Sequence, residues 1–242
     1  MYREFEEFVF NNYDMRLSGI NLKYYHSRRV AVLSKKIAEN LGLSLYDVKV
    51  ATQIGLLHDI ARFYEYMMFK DFKNSNGFDH GKYGVKVLNS HNYYEKFDIH
   101  KEDLENIYSA IYYHNKFKLP KKYRDNVFCK IIRDADKIDI INVMKNRLVT
   151  KDEDVINPKL VKAFYNHKIL SWKYKTNSSN DFIFYLGFIY DLNYDYSCKF
   201  LLESGYLDNL YNSLNNKERY KEYFDYAKSY LEKRAKNVRN EI

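Results

Sequence analysis

Glycine and proline are scarce in this chain, which has only 8 glycines and 2 prolines among 242 residues. An all-β fold needs many tight turns, and these two residues are the usual turn formers. Apolar residues make up 46% of the chain, which argues against disorder and is enough to build a sizeable core. The sequence therefore predicts an all-α protein, and its length suits one large domain or two small ones.

Charge and cysteine usage limit the compartment and the partners. The formal net charge is +8, but the basic residues are spread along the chain with acidic residues among them. Cys129 and Cys198 lack C-x-x-C spacing, which favours two small core residues in a reducing compartment. The N-terminus lacks the apolar run of a signal peptide, and the apolar run 182–190 is too short to span a bilayer. We therefore expect a cytoplasmic protein without a membrane partner.

Apolar residues recur at helical spacing along most of the chain. After a break at Ser18 and Gly19, the pattern is helical from Lys23 onwards. Its first stripe consists of His26, Val30, Leu33, Ile37 and Leu41. Gly42 is placed to end this helix, and Ser44 is placed to cap the next one.

Further cap signals continue the helical pattern. Asp79 is placed to cap a helix that starts near His80. In the C-terminal part, Asn157 followed by Pro158 is typical of a helix start. The segment 182–189 could be a strand, but its length and apolar spacing favour a helix. Residues 141–242 are helical by pattern and carry no catalytic signature.

Four histidines and one aspartate fall at or near the inward faces of successive predicted helices. They are His26, His58, His80, His114 and Asp136. Each histidine alone would be ordinary, because half-buried histidine is common, but the joint pattern is harder to dismiss. The remaining histidines lie in polar stretches and are expected at the surface. They are His91, His100 and His167.

Asp59 directly follows His58 in the apolar run 55–62, which reads as a helix. A buried carboxylate needs a counter-charge or a metal, because desolvation penalises its ionised form. Adjacent helical residues point about 100° apart while their Cα atoms are only about 3.8 Å apart, so two such side chains can hold one ion. Imidazole and carboxylate ligands together suit Mn, Fe, Co, Ni or Zn better than Mg.

These residues resemble the HD superfamily of metal-dependent phosphohydrolases. The family pattern is a His, a His-Asp pair and a later Asp on separate helices, which here matches His26, His58 with Asp59, and Asp136 in the run 131–139. The resemblance covers roughly residues 22–145. It implies an N-terminal helical segment over 1–21, a metal-binding helical core over 22–145, and further helices over 146–242 that pack on this core.

The resemblance also implies a ligand set. His80 and His114 resemble the subset of the family that holds two metals, in which Asp59 would bridge the two ions. His26, His58 and Asp136 would then complete one ion, and His80 and His114 the other. The final aspartate of the family pattern has three candidates that lie close together in sequence, Asp134, Asp136 and Asp139. The family pattern favours Asp136, which would leave Asp134 behind a ligand or at the surface.

Cations near these ligands would neutralise charge on a phosphoryl group. Arg62 is the favoured candidate, since it lies four residues after His58 on what reads as the same helix face, and Lys137 follows Asp136. With Asp59, these two form the predicted catalytic set. Arg62 is also expected to bind substrate. The other predicted substrate-binding residues are Lys116, Lys82 and Arg29, with Arg28 as a weaker candidate.

The resemblance implies a phosphohydrolase that cleaves a phosphoester of a nucleotide or similar small substrate through a metal-bound hydroxide, with one or two divalent transition metals as cofactors. A nucleic acid is a less favoured substrate, because no concentrated basic and aromatic patch is visible. Two alternatives stay open. One is a di-iron oxygenase with the same ligand set, and the other is a non-catalytic module that binds a nucleotide.

Overall fold

The structure is a computed structural model that describes residues 1–73, 77–90 and 93–240. All regular elements in these ranges are helices, and no strand occurs there, which confirms the predicted all-α class. The chain divides into two compact units, Met1–Ala135 and Asp136–Ile242. The division falls within one helix, ten residues before the boundary expected from the sequence, and the domain assignment 22–145 stays a prediction.

The first unit contains seven α-helices in its described part and the beginning of an eighth. They are α1 (Tyr2–Asn12), α2 (Ser18–Asn40), α3 (Leu45–Leu57), α4 (Ile60–Phe69), α5 (His80–Asn89), α6 (Tyr93–Lys96), α7 (Leu104–Tyr113) and α8 (Val127–Met144). Short 3₁₀ helices cover Lys101–Asp103 and Lys121–Tyr123. The buried core of this unit is aliphatic and aromatic, and it includes Phe5, Ile20, Val30, Leu56, Phe63 and Ile107.

The helix ends in this unit follow the predicted signals. Gly42 adopts φ +66°, a left-handed conformation that glycine reaches without a Cβ clash, just after α2 ends. The Ser44 side chain accepts a hydrogen bond from the Asp47 N–H at 3.1 Å at the start of α3. Asp79 accepts from the Lys82 N–H at 3.2 Å at the start of α5. These local signals were sufficient to place the three boundaries.

Two glycines determine how closely α2 packs on its neighbours. A Cβ on Gly55 would lie 2.7 Å from the Ala31 Cα, so only glycine lets α3 approach α2 this closely. A Cβ on Gly19 would lie 2.2 Å from the Tyr66 ring. Gly19 lies in the first turn of α2, which begins at Ser18, five residues before the start predicted from the apolar stripe. The predicted break at these residues is the beginning of the helix.

The second unit continues with the rest of α8 and five further α-helices in its described part. They are α9 (Pro158–Tyr165), α10 (Ser178–Leu186), α11 (Asp195–Glu203), α12 (Tyr206–Asn212) and α13 (Lys221–Ala235). Short 3₁₀ helices cover Trp172–Tyr174, Gly187–Asp191, Lys217–Tyr220 and Lys236–Asn240. The segment in which a strand was the alternative is helical.

Side-chain hydrogen bonds cap two helices of this unit, α9 and α10. The Asn157 side chain accepts from the Lys159 N–H, with Pro158 at the first helical position, as predicted.

Cys129 of the first unit and Cys198 of this unit are both buried free thiols, in agreement with the expected core role. In the part of the chain that the structure describes, no helix is long and apolar enough to cross a membrane.

Candidate metal centre

His58 and Asp59 lie at the junction of two helices, because α3 ends at Leu57 and α4 begins at Ile60. The sequence predicted one helix through this run. The break was hidden because the apolar residues on both sides of the junction are buried, so the stripe continues across it. Asp59 occupies the N-cap position of α4, yet its side chain accepts no capping hydrogen bond. Both carboxylate oxygens are therefore directed elsewhere.

The other predicted histidines surround this junction. His80 is the first residue of α5, His114 directly follows α7, and His26 lies within α2. All four histidines are buried, and the most exposed of them, His80, retains 7% of its accessible surface. Asp59 is equally buried at 2%. The first unit thus brings together five polar side chains that would be costly to bury without compensating partners.

The two oxygens of Asp59 face different pairs of histidines. Oδ2 lies 3.4 Å from the His26 Nε2 and 3.5 Å from the His58 Nε2. Oδ1 lies 3.6 Å from the His114 Nε2 and 3.7 Å from the His80 Nε2. A carboxylate in this position is able to share its oxygens between two ions.

Backbone carbonyls fix the orientation of two imidazoles. The His58 Nδ1 lies 2.8 Å from the Gly55 carbonyl oxygen, and the His114 Nδ1 lies 2.7 Å from the Ile111 carbonyl oxygen. Because a carbonyl only accepts, each Nδ1 donates its proton to it, which leaves Nε2 as the ring nitrogen that can coordinate a metal. A hydrogen bond from the second ring nitrogen to a carbonyl is usual for metal-bound histidine.

The donor set fits a metal. The ligand atoms of His58, Asp59 and His114 all lie within 4.8 Å of one another. The buried Asp59 Oδ1 has no hydrogen-bond partner among the described residues. In each pair the facing Nε2 atoms are close, at 3.2 Å for His26 and His58 and 3.1 Å for His80 and His114. Imidazole nitrogens that converge at hydrogen-bond distance, together with an unsatisfied carboxylate oxygen, form a donor set that a divalent cation can satisfy in place of the shared protons.

Electrostatics keep these groups in the protonation states that bind metal. Burial alone would raise the pKa of Asp59, but the Lys23 ammonium and the surrounding imidazoles hold it well below its ordinary value. Burial, reinforced by the Arg62 charge, holds the pKa of His80 well below the ordinary histidine value. An ionised carboxylate and a neutral imidazole are the forms in which these residues coordinate a metal.

A comparison with protein families identifies the fold. The HD-domain model matches residues 24–141. Residues 24–141 form an HD domain. HD domains are typically metal-dependent phosphohydrolases, and the buried cluster is consistent with the metal site of such a domain. No curated protein and no solved structure matches the chain.

Lys23, which directly precedes the matched range, is a neighbour of Asp59 that sequence reasoning missed. Its Nζ donates a hydrogen bond to the Asp59 Oδ2 at 2.6 Å, and its side chain is 13% exposed. In the sequence, Lys23 marked only the start of the helical pattern and was given no role at the site. The available signal was its spacing, since Lys23 lies three residues before His26 and therefore on the same face of α2.

Arg62 lies beside Asp59 but not on one helix face with His58, which precedes α4, and its predicted roles stay predictions. Its Nε lies 3.6 Å from the Asp59 Oδ1 and has no hydrogen-bond partner among the described residues. Its Nη1 donates to Glu65 at 2.7 Å. Glu65 is only 1% exposed, so the half-buried Arg62 is the ion-pair partner of a buried acid as well as a neighbour of the candidate metal centre.

The other predicted cations lie in different environments. The Lys116 Nζ pairs with Asp79 at 2.5 Å, next to the His80 helix start. Lys82 is exposed, and Arg29 is half-buried on α2. In the second unit, the Lys137 Nζ pairs with Asp191 at 2.9 Å. The roles assigned to these four residues stay predictions. The weaker candidate was Arg28, whose guanidinium pairs with Glu6 and contacts the Tyr24 hydroxyl.

The run with three acids belongs to α8. Asp134 and Asp139 are fully buried, and Asp136 is half-buried at the beginning of the second unit. Asp134 is therefore not a surface residue, and the choice of Asp136 as a ligand stays a prediction. His100 and His167 are exposed, as expected, and His91 lies outside the described residues.

Proposed function

We propose that this protein is a metal-dependent phosphohydrolase that acts on a nucleotide or a similar small phosphoester. The observation that carries the proposal is the position of Asp59, whose two oxygens face two pairs of buried histidines. Two metal ions on one bridging carboxylate are the usual arrangement for hydrolysis at phosphorus.

The proposed ligands extend the cluster by one residue. His26, His58 and Asp136 would hold one ion and His80 and His114 the other, with Asp59 shared. Asp136 enters through the sequence pattern and through the matched HD range, which includes it. When bound, Mn, Fe, Co, Ni or Zn would supply a water of lowered pKa as nucleophile and neutralise charge on the phosphoryl oxygens.

The chain's own residues would position the substrate. Arg62 is the best placed, because its Nε has no hydrogen-bond partner among the described residues and lies 3.6 Å from the Asp59 Oδ1, so it could donate to a phosphoryl oxygen bound there. Lys116 donates a hydrogen bond to Asp79, the residue directly before His80. From this position its ammonium would bind a second phosphate oxygen.

Three further residues complete the proposed set with less structural support. Lys82 and Arg29 would contact more distant parts of an anionic substrate. Lys137 would add positive charge beside Asp136, although its Nζ already pairs with Asp191. The Glu65 carboxylate neutralises the charge of the Arg62 guanidinium, so Arg62 would act mainly as a hydrogen-bond donor to the substrate.

A panel of nucleotides and simple phosphomonoesters tests the proposal. We expect phosphate release that requires added Mn, Co or Fe, is abolished by a chelator, and is lost in Asp59→Ala protein that remains folded by circular dichroism. Full activity of that variant would contradict the proposal. Oxygen consumption by iron-loaded protein, without phosphate release, would replace it with an oxygenase. Tight nucleotide binding without turnover would replace it with a binding module.

A further inference from the structure

Lys23 makes the shortest contact to Asp59 among the described residues. Its Nζ lies 2.6 Å from Oδ2, whereas the His26 and His58 Nε2 atoms lie 3.4 and 3.5 Å from the same oxygen. The ammonium thus occupies the oxygen through which His26, His58 and Asp59 would share an ion. An ammonium and a divalent cation repel each other at such distances, so both cannot stay on this oxygen at full contact.

Phe72 provides a second place for the ammonium. The Lys23 Nζ lies 5.3 Å from the centre of the Phe72 ring, and the Arg62 Cζ lies 5.5 Å from the same centre. Both cations are within the range in which an aromatic ring attracts a positive charge. Lysine has a flexible four-carbon stem, so a small rotation would move its charge from Asp59 towards the ring and Arg62.

We propose that Lys23 is a counter-ion that metal binding displaces from Asp59, and that the freed ammonium then binds the phosphoryl group of the substrate together with Arg62. This inference rests on the proposed function. Before metal binds, Lys23 neutralises the buried Asp59 carboxylate, whose other cationic neighbour, Arg62, is paired with Glu65. After metal binds, the ammonium needs a new anion, and the phosphoryl group is the anion that the reaction supplies.

Two titrations of the full-length protein test this inference. The first adds Mn²⁺ to chelator-treated protein, and the second adds inorganic phosphate to Mn-loaded protein. The variant is Lys23→Met, and the matched control is Lys35→Met. Lys35 lies on the same helix, is 54% exposed and pairs only with a surface partner, Glu39, among the contacts that the structure describes.

We expect opposite changes in Lys23→Met. Mn²⁺ affinity should rise about threefold or more, because a competing charge is removed. Phosphate affinity should fall about tenfold, because one charge-assisted hydrogen bond is lost. Lys35→Met should leave both unchanged. Weaker Mn²⁺ binding, or unchanged phosphate binding, in Lys23→Met would overturn the inference and would show that Lys23 only supports Asp59.

Lys23→Arg covers the case in which Lys23→Met does not fold. It keeps the charge, and we expect phosphate affinity within about twofold of wild type; a loss as large as that predicted for methionine would overturn the inference. Wild-type protein that binds no Mn²⁺ would overturn both the inference and the proposed function. If the wild-type protein binds Mn²⁺ and hydrolyses phosphoesters, but Lys23→Met has the same Mn²⁺ and phosphate affinities as the wild type, the inference alone is overturned.

Discussion

The two halves of the candidate metal centre differ in how Asp59 is satisfied. On the Oδ2 half, with His26 and His58, an ammonium lies at 2.6 Å. On the Oδ1 half, with His80 and His114, the oxygen has no hydrogen-bond partner among the described residues, and the nearby Arg62 is neutralised by Glu65. The Oδ1 half is therefore ready for a cation, whereas the Oδ2 half must first release one. We expect the first ion to bind at the Oδ1 half.

The largest effect should come from removing the carboxylate that both halves share. Asp59→Asn keeps the shape but removes the charge, and we expect metal-dependent phosphate release to fall by about a thousandfold or more. Asp98→Asn is the matched control, because Asp98 is an exposed carboxylate that pairs with Lys49. Wild-type turnover in Asp59→Asn would remove the basis for comparing the two halves.

Replacing one histidine should separate the halves. His114→Gln removes a ligand of the Oδ1 half only, so about one of two Mn²⁺ ions should be lost and the other retained. Equilibrium dialysis with metal analysis measures this, with the exposed His100→Gln as control. Loss of both ions would show that the two halves bind as one unit, and loss of neither would remove His114 from the ligand set.

Substitution of Arg62 tests whether the Oδ1 half needs the ion pair between Arg62 and Glu65 for stability. Arg62→Gln leaves Glu65 buried without its partner, and we expect about 3 kcal/mol less unfolding free energy in urea for the metal-free protein. The double variant with Glu65→Gln should recover most of this stability. It should not recover phosphate release if Arg62 binds substrate. Recovery of both would limit Arg62 to a structural role.

The smallest effect concerns the orientation of His80. The Asn115 side-chain amide nitrogen lies 3.3 Å from the His80 Nδ1 and donates to it, whereas backbone carbonyls accept from the Nδ1 atoms of His58 and His114. When His80 coordinates a metal through Nε2, its proton must lie on Nδ1, and a rotation of the Asn115 amide would turn its oxygen to accept that proton. Asn115→Ala should weaken the metal affinity of the Oδ1 half about tenfold and leave the other half unchanged. Asn12→Ala, at the exposed end of α1, is the control. Equal weakening of both halves would contradict the assignment of Asn115 to one of them.

Much of the fold could be predicted because its signals are local. Gly42, Ser44 and Asp79 act on the residues next to them, and each marks a helix end in the structure. The His58–Asp59 junction could not be predicted from apolar spacing, because both adjoining helices are buried there. The start of α2 was misplaced for a related reason, since Gly19 is required by the distant Tyr66 ring.

The candidate site shows a similar division. The four histidines and Asp59 could be chosen because their types and order match a family pattern, and the structure brings these five together. Lys23 and Glu65 were not chosen, because a lysine or glutamate in a sequence is usually solvated, and the spacing from Lys23 to His26 indicates a shared helix face but not a contact with Asp59. Only the fold shows that Lys23 reaches Asp59 and that Glu65 is buried against Arg62.

Metal content measured by elemental analysis, on wild-type protein purified without chelator and reconstituted with Mn²⁺, tests the bridging role of Asp59 most directly. We expect about two equivalents per chain in the wild-type protein and close to none in Asp59→Asn. One equivalent that persists in Asp59→Asn, or no metal in the wild-type protein, would contradict a centre built on that carboxylate.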